Sequence, residues 1–515
     1  MEPGAEETVV AGPPYLSHMR LPETPVRYGT VGALIITLTG LLLFYQTDDP
    51  FEPAFNLGLA LLLLGGFLTG LVPALMLAGA HHRWLRLPGI FASLGVILAG
   101  LFVISLSVNY RWLLWREVTP EARRADLRQL AEFMRERHPG FAKRVAPEEF
   151  NRAVAELDAQ ILQLDPARIH MAEARLVALL HDGHSEYFPF QPASGFHMAP
   201  VELYSFSDGW YVIGASPLYR DLVGRRITRI GDKTPDEAYA LMRPYIGSDN
   251  EWTIKDRMPM YLVTPEALAA VGIASRSETV ELTLADEAGG TSRISLAPVS
   301  LVRYFYWLFR PLETWKRKRT EDPSLPLYRQ HPDLNYWFTY LPQAKTVYVC
   351  FRQVRDQGQE SIAEFGHRVL QYSRQHPVER LVIDVRGNSG GDNSLFPDFI
   401  RELASSPANQ RGRLFTIIGR HTFSAAVNFV SAMERQTQTL FAGEPTGAGP
   451  NHYGDTTKYF LPNSHAVVFL STRYHEWGEP ADRRTSHDPQ IPISLSHDDY
   501  FGNRDPVLDA VLAYH

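Results

Sequence analysis

Between residues 346 and 472, short apolar runs alternate with segments of helical character. The runs are TVYVCF (346–351), RLVIDVRGN (380–388), RLFTIIG (413–419), TLFAGEP (439–445) and AVVFLST (466–472). ESIAEFGHRVLQYSRQ (360–375) and SAAVNFVSAMERQ (424–436) lie between them. Strands that alternate with helices bury both faces of a sheet, which favours an α/β layer with substantial parallel pairing. All five runs are therefore expected in one such layer. The single cysteine, Cys350, falls in the first run and reads as a buried strand residue. It leaves neither a disulfide framework nor a cysteine zinc site.

A chain of 515 residues is too long for one ordinary core, so two or more domains are expected. A net charge of −7 argues against a nucleic-acid partner, which needs a clustered basic surface. Three stretches without a charged residue crowd the first fifth, at 30–45, 55–80 and 87–108. The second and third exceed the roughly 20 residues that span hydrocarbon. They lie too far from the N-terminus, and are too many, for a cleaved signal peptide. They are read as three transmembrane helices of a multi-pass cell-membrane protein. Arg20 and Arg27 precede the first, 46–54 carries no Lys or Arg, and Arg83 and Arg86 follow the second. This charge pattern places the N-terminus in the cytoplasm and everything after Val108 outside it.

Beyond the apolar stretches the chain reads as three regions. Thr119 as a cap, Pro120 at the first helical position and Leu127, Leu130, Phe133 and Met134 at helical spacing open a helical region. It continues through 147–164 and 166–180. From about 197 to 300, short strands with glycine turns surround a helix at 234–246. DLVGRRITRIGDKTPDEAYALM (221–242) resembles the strand, turn and helix of a PDZ domain, with 247–278 as an insertion; a generic small β-rich module fits the same residues. An aromatic, basic connection (304–324) leads into the α/β part.

Three turns carry residues capable of chemistry. Ser424 sits at a strand-to-helix turn, where the first helical amides and the positive helix end can hold an oxyanion; the same geometry suits an ordinary N-cap serine. LVIDVRGNSGGD (381–392) turns through Gly387, Gly390 and Gly391, whose backbone can approach another group and present its amides. The pattern of a phosphate-binding loop is absent. LVALLHDGHSEYF (176–188) ends a helix at His181, Asp182 and His184; His184 is suited to general-base work near neutral pH. A metal could also use this turn, yet no HExxH motif or second ligand cluster accompanies it, so neither a metal nor another cofactor is expected.

LLHDGHS (179–185), VIDVRGNSGG (382–391), TFSAAVNF (422–429), AGEPTGAGPNHYGD (442–455), YFLPNS (459–464) and DPVLDAVL (505–512) together resemble the C-terminal-processing, or tail-specific, serine peptidases. That family includes the tricorn core protease. The resemblance implies a crotonase-like (ClpP/crotonase-type) α/β peptidase domain with Ser424 as nucleophile and oxyanion amides from Ala425 and the Gly390/Gly391 turn. Many members use a lysine base just after GExTxG, where this chain has Gly449; Lys458 is the nearest lysine. The tricorn-like branch uses a histidine from a DSH or DGH turn, which implies His184, with His452 and His421 as rivals. Asp482, ahead of PQI where the family has PDI, is the expected third member that orients the imidazole.

The division expected is a disordered cytoplasmic tail (1–28), a three-helix transmembrane region (29–110), a helical subdomain (118–196), a PDZ-like module (197–300) and a peptidase core (301–515). The expected function is a membrane-tethered serine endopeptidase that hydrolyses extracytoplasmic polypeptides through an acyl-enzyme. The alternative is a catalytically silent relative that binds peptide or ligand, or acts as a sensor.

Overall fold

In the computed structural model the described residues are 118–191, 194–285, 290–309 and 324–514. The centre is a six-stranded sheet in the order Ile491–Pro492, Leu440–Gly443, Leu414–Ile418, Arg380–Asp384, Thr346–Phe351, Tyr336–Leu341. The first five pair in parallel, and Tyr336–Leu341 closes one edge antiparallel to Thr346–Phe351. Successive strand side chains point to opposite faces, and here both faces are covered, which is why these strands read as continuous apolar runs. Val347 and Val349 pack with Phe365, Val369, Phe399, Phe429 and Met433 on one side. Tyr348 and Cys350 pack with Phe415, Val507, Leu508 and Val511 on the other. Burial pushes the Cys350 thiol up to about 12, so it stays protonated and unreactive.

The run at 466–472 departs from the expected layer. It belongs to Val467–Glu476, which pairs antiparallel with Asn451–Phe460 and, on its other edge, with Glu186–Phe188. Leu461, Ala466, Val468 and Leu470 of this hairpin form one core with Leu130, Met134, Phe150, Val177 and Leu180 of the helices before it. An apolar face on a long hairpin needs a cover, and the N-terminal helices provide it. The hairpin thus brings the His184 turn, which lies just before Glu186–Phe188, against the α/β sheet's own loops.

Residues 201–296 form a five-stranded antiparallel sheet with the helix Pro235–Met242. The stretch read as an insertion folds into the helices Glu251–Leu262 and Pro265–Ala270. Asn250 caps the first of these through the Trp252 and Thr253 amides. The Asn250 and Thr253 side chains also reach the carbonyls of Thr446 and Gly447, so this helix braces a loop of the sheet.

The expected fold class, a crotonase-like core preceded by three transmembrane helices, requires correction. Among the described residues no helix is long and apolar enough to cross a membrane, and what they form is an assembly of helices and sheets. The stretches at 30–45, 55–80 and 87–108 lie outside the described residues, as does the tail at 1–28.

Candidate active site

Ser424 stands where the strand Leu414–Ile418 has turned into the helix Ala425–Gln436. Its backbone has φ +54° and ψ −127°, and its side chain makes no capping bond. A non-glycine residue held at positive φ costs on the order of 1–3 kcal/mol and persists only where its surroundings impose it. Those surroundings are visible. Thr422 Oγ1 donates to the Val385 carbonyl and accepts from Gly419 N–H, while Phe423 N–H donates to the Asn388 carbonyl. Asn388 is buried and serves as a hub, for its amide also donates to Phe351 O and its Oδ1 accepts from Gly390 N–H. The Ser424 turn is thereby stitched to the glycine turn. Arg386 fixes the base of that turn through Asp384 and Asp505, and Asp505 also caps the last helix at Leu508.

Gly390 and Gly391 have φ of +113° and +144°. A Cβ on Gly390 would stand 2.8 Å from Ser424 Cβ and 2.9 Å from Ala425 N, and one on Gly391 would overlap Val354 O at 2.1 Å. Both positions therefore require glycine. The three expected oxyanion donors are not equivalent. The Gly390 N–H is taken by Asn388 Oδ1. Ala425 N–H is the first amide of its helix, with no intrahelical acceptor, and no acceptor among the described residues takes the Gly391 N–H.

His184 lies in the turn after the helix Pro166–Ala178. Its ring stacks with Phe423 (4.2 Å between centroids, 22°) and with His452 (5.5 Å, 7°). Among the described residues neither ring nitrogen has a hydrogen-bond partner, and both are shut off from solvent. No hydrogen bond therefore joins His184 to Ser424 in this conformation. Burial first, then the neighbouring His452, lower the imidazole's pKa to about 3, so the ring is neutral, the form a general base requires. Asp182 is buried beneath it. His138, Ser185 and Ser471 converge on its Oδ2, and its Oδ1 accepts the His184 amide. Burial opposes ionisation of Asp182, but these donors and the adjacent imidazole hold its carboxyl below the usual range.

The other expected residues are placed elsewhere. Asp482 is engaged by Arg484, which also holds Glu434, and does not reach the unpartnered His184 ring. Lys458 is exposed on the hairpin, its ammonium 4.8 Å from the Phe460 ring centre. His421 pairs with Asp256 at 2.9 Å, which raises its pKa. His452 is buried, with Nδ1 at 2.9 Å from Gly449 O, and burial lowers its pKa to about 4. At the position where many of the resembled peptidases carry a lysine, a Cβ on Gly449 would meet Arg484 O at 2.1 Å. A lysine there would collide with backbone.

Sequence reasoning missed Asp249, Arg257 and Phe423. Asp249 Oδ2 accepts Gly183 N–H, and Arg257 donates to Gly183 O and Gly247 O. Burial, then the charge of Asp182, push the Asp249 carboxyl up to about 8. Both belong to or flank the segment read as an insertion, and nothing local announces a contact with residue 183. Phe423 was in plain view beside the serine, but its stacking partner lies some 240 positions away. Donor atoms of Asp182, His184 and Asp249 lie within 4.8 Å of one another, the one such cluster of three among the described residues.

No protein-family model matches the chain, and no curated protein matches it. Solved structures do. Mature CPAF complexed with lactacystin aligns with a TM-score of 0.52 at 11% identity, over 76% of this chain and 97% of its own. A point mutant of CPAF aligns at 0.55, with 11% identity, over 76% and 96%. The photosystem II D1 C-terminal processing protease, at 14% identity, covers 72% of this chain and 92% of its own with a TM-score of 0.32. At 11% identity the CPAF likeness is one of fold alone.

Proposed function

We propose that this chain is a serine peptidase acting on polypeptides, with Ser424 as nucleophile and His184 as general base. One observation carries the reading. Ser424 is held at φ +54° on the first turn of a helix, its hydroxyl free of any capping role, with the Gly390/Gly391 turn pressed against it. An N-cap serine of the ordinary kind adopts β-region backbone and bonds the second or third helical amide; this one does neither. In the proposed reaction the Ser424 oxygen attacks a peptide carbonyl while its proton passes to the neutral His184 ring. The Ala425 and Gly391 amides receive the oxyanion, and the leaving amine takes the proton from His184. Water, deprotonated by the same ring, then hydrolyses the acyl-enzyme. The Ser424–His184 hydrogen bond is made on substrate binding, since catalytic hydrogen bonds can tighten only in the complex. Asp182, which lies within 4.8 Å of a His184 ring nitrogen without bonding it, would take the orienting place expected of Asp482 once the ring engages Ser424.

A second reading, a silent relative that binds peptide, is favoured by the missing Ser424–His184 bond and by the commitment of Asp482 to Arg484. Fluorophosphonate labelling separates the two. The wild type reacts and Ser424→Ala does not, whereas an unreactive wild type that still binds peptide establishes the silent relative. Membrane association, and an extracytoplasmic place for residues 118–515, are parts of the proposal supported only by the sequence of the first fifth. Protease accessibility of a C-terminal tag in intact and permeabilised cells tests them.

A further inference from the structure

The His184 ring is confined in a way that general-base duty does not explain. Phe423 stacks on it with centroids 4.2 Å apart and His452 lies nearly parallel to it at 5.5 Å, so two neighbouring rings restrain its plane. An imidazole nitrogen donates its lone pair in that plane. Both nitrogens are sealed from solvent with no partner, although leaving a polar atom so buried costs on the order of 1–3 kcal/mol. One of them shares its surroundings with a pair of carboxyl groups, and a metal bound there would displace the proton that Asp249 holds. Asp249 spends Oδ2 on the Gly183 amide, with no hydrogen bond to its Oδ1. Asp182 is locked by His138, Ser185 and Ser471 on Oδ2 and by the His184 backbone amide on Oδ1, so its position is set by donors other than the cluster's own ligand atoms. The donor atoms of the three side chains lie within 4.8 Å of one another. Ligand atoms bound to one tetrahedral zinc at about 2 Å each stand about 3.3 Å apart, so closure takes movements of up to about 1.5 Å.

We propose that Asp182, His184 and Asp249 form an inhibitory site for a divalent transition cation of the zinc class. One imidazole nitrogen and two carboxylate oxygens are a donor set that zinc accepts, with water or a fourth group completing the shell. A hard cation such as calcium, which takes six to eight oxygens, is not served by it. Bound metal occupies the lone pair that the serine proton needs and holds His184 in its stacked position, away from Ser424. The inhibition rests on the serine peptidase reading; the binding does not. The site also reverses the expectation of no metal drawn from the lone HDGH turn, because its third ligand, Asp249, lies 65 positions beyond His184.

The test uses the full chain, stripped with EDTA and titrated calorimetrically with Zn²⁺ alone, with fluorophosphonate labelling followed in parallel. Wild type is expected to bind one equivalent that Asp249→Asn, isosteric and still able to accept from Gly183, loses; His184→Ala loses the same equivalent. Zn²⁺ blocks labelling of the wild type, EDTA restores it, and Asp249→Asn labels in the presence of the metal. An Asp249→Asn chain that binds zinc as the wild type does, or a wild type that binds none, overturns the site. Zinc binding that depends on Asp249 in a chain that never labels keeps the site and refutes the peptidase reading instead.

Discussion

Replacing Gly390 by alanine separates backbone strain from damage to the nucleophile. Two effects can be worked out from the structure. The first is local: Gly390 has φ +113°, a conformation that an L side chain adopts only at a cost of roughly 1–3 kcal/mol. The second is specific to the site. The new Cβ would stand 2.8 Å from Ser424 Cβ, where carbon atoms rest at about 3.5–4.0 Å, so one partner has to retreat by about 1 Å. Ala425 N, at 2.9 Å from the same point, is displaced with it. A misplacement of about 1 Å at a reacting centre costs on the order of 10²-fold in rate. Gly412→Ala supplies the control. Its φ is +81°, yet the nearest atom to its Cβ is Tyr514 Cε1 at 3.6 Å, so it carries the backbone strain without touching the site. Both variants are expected to lower the thermal unfolding midpoint. Only Gly390→Ala should lower the second-order rate of fluorophosphonate labelling, by about 10²-fold. If Gly390→Ala labels at the rate of Gly412→Ala, the claim that this glycine shapes the nucleophile's surroundings is wrong.

Two further outcomes follow from positions outside the reacting groups. Burial raises the Glu173 pKa from 4.5 to about 7, so the folded chain keeps a proton that the unfolded chain releases, and stability falls as pH rises from about 4.5 to about 7. Nearby His170, lowered to about 3 by burial, acts oppositely, with stability lost as pH falls below its unfolded value. Glu173→Gln removes only the first effect, about 3 kcal/mol at most, so its advantage over wild type in melts should grow from pH 5 to pH 8; an equal difference at both pH values counts against a neutral Glu173. Gly449→Lys, which puts a lysine where many of the resembled peptidases carry one, should fail to rescue Ser424 labelling in a His184→Ala background. It should destabilise the fold by more than the 1–3 kcal/mol typical of overpacking, because its Cβ meets the Arg484 carbonyl; a well-folded, reactive double variant would show that the 484–485 backbone yields.

Local chemistry was legible wherever neighbours in sequence are neighbours in space. The Thr119 cap and Pro120 start appear as read, with Thr119 Oγ1 accepting from Ala122 N–H at 3.3 Å. The strands at 346–351, 380–384, 414–418 and 440–443 lie where apolar runs placed them. Ser424 does stand at a strand-to-helix turn. The run at 466–472 was also recognised as a strand, but its alternation says nothing about a partner, and its pairing with Glu186–Phe188 is nearly 300 residues distant. For the same reason Asp482 was chosen from its place near PQI, although Arg484, two residues on, claims it at 2.7 Å.

The sequence by itself determined the elements, the glycines and the candidate nucleophile, because capping, strand burial and positive φ act over a few residues. Only the tertiary structure decided what meets His184. Phe423, His452, Asp182 and Asp249 come from four separated segments, and their convergence depends on how the hairpin and the Glu251–Leu262 helix pack against the sheet. A side chain's type states which partners it can take; the packing of distant apolar faces settles which partner it receives.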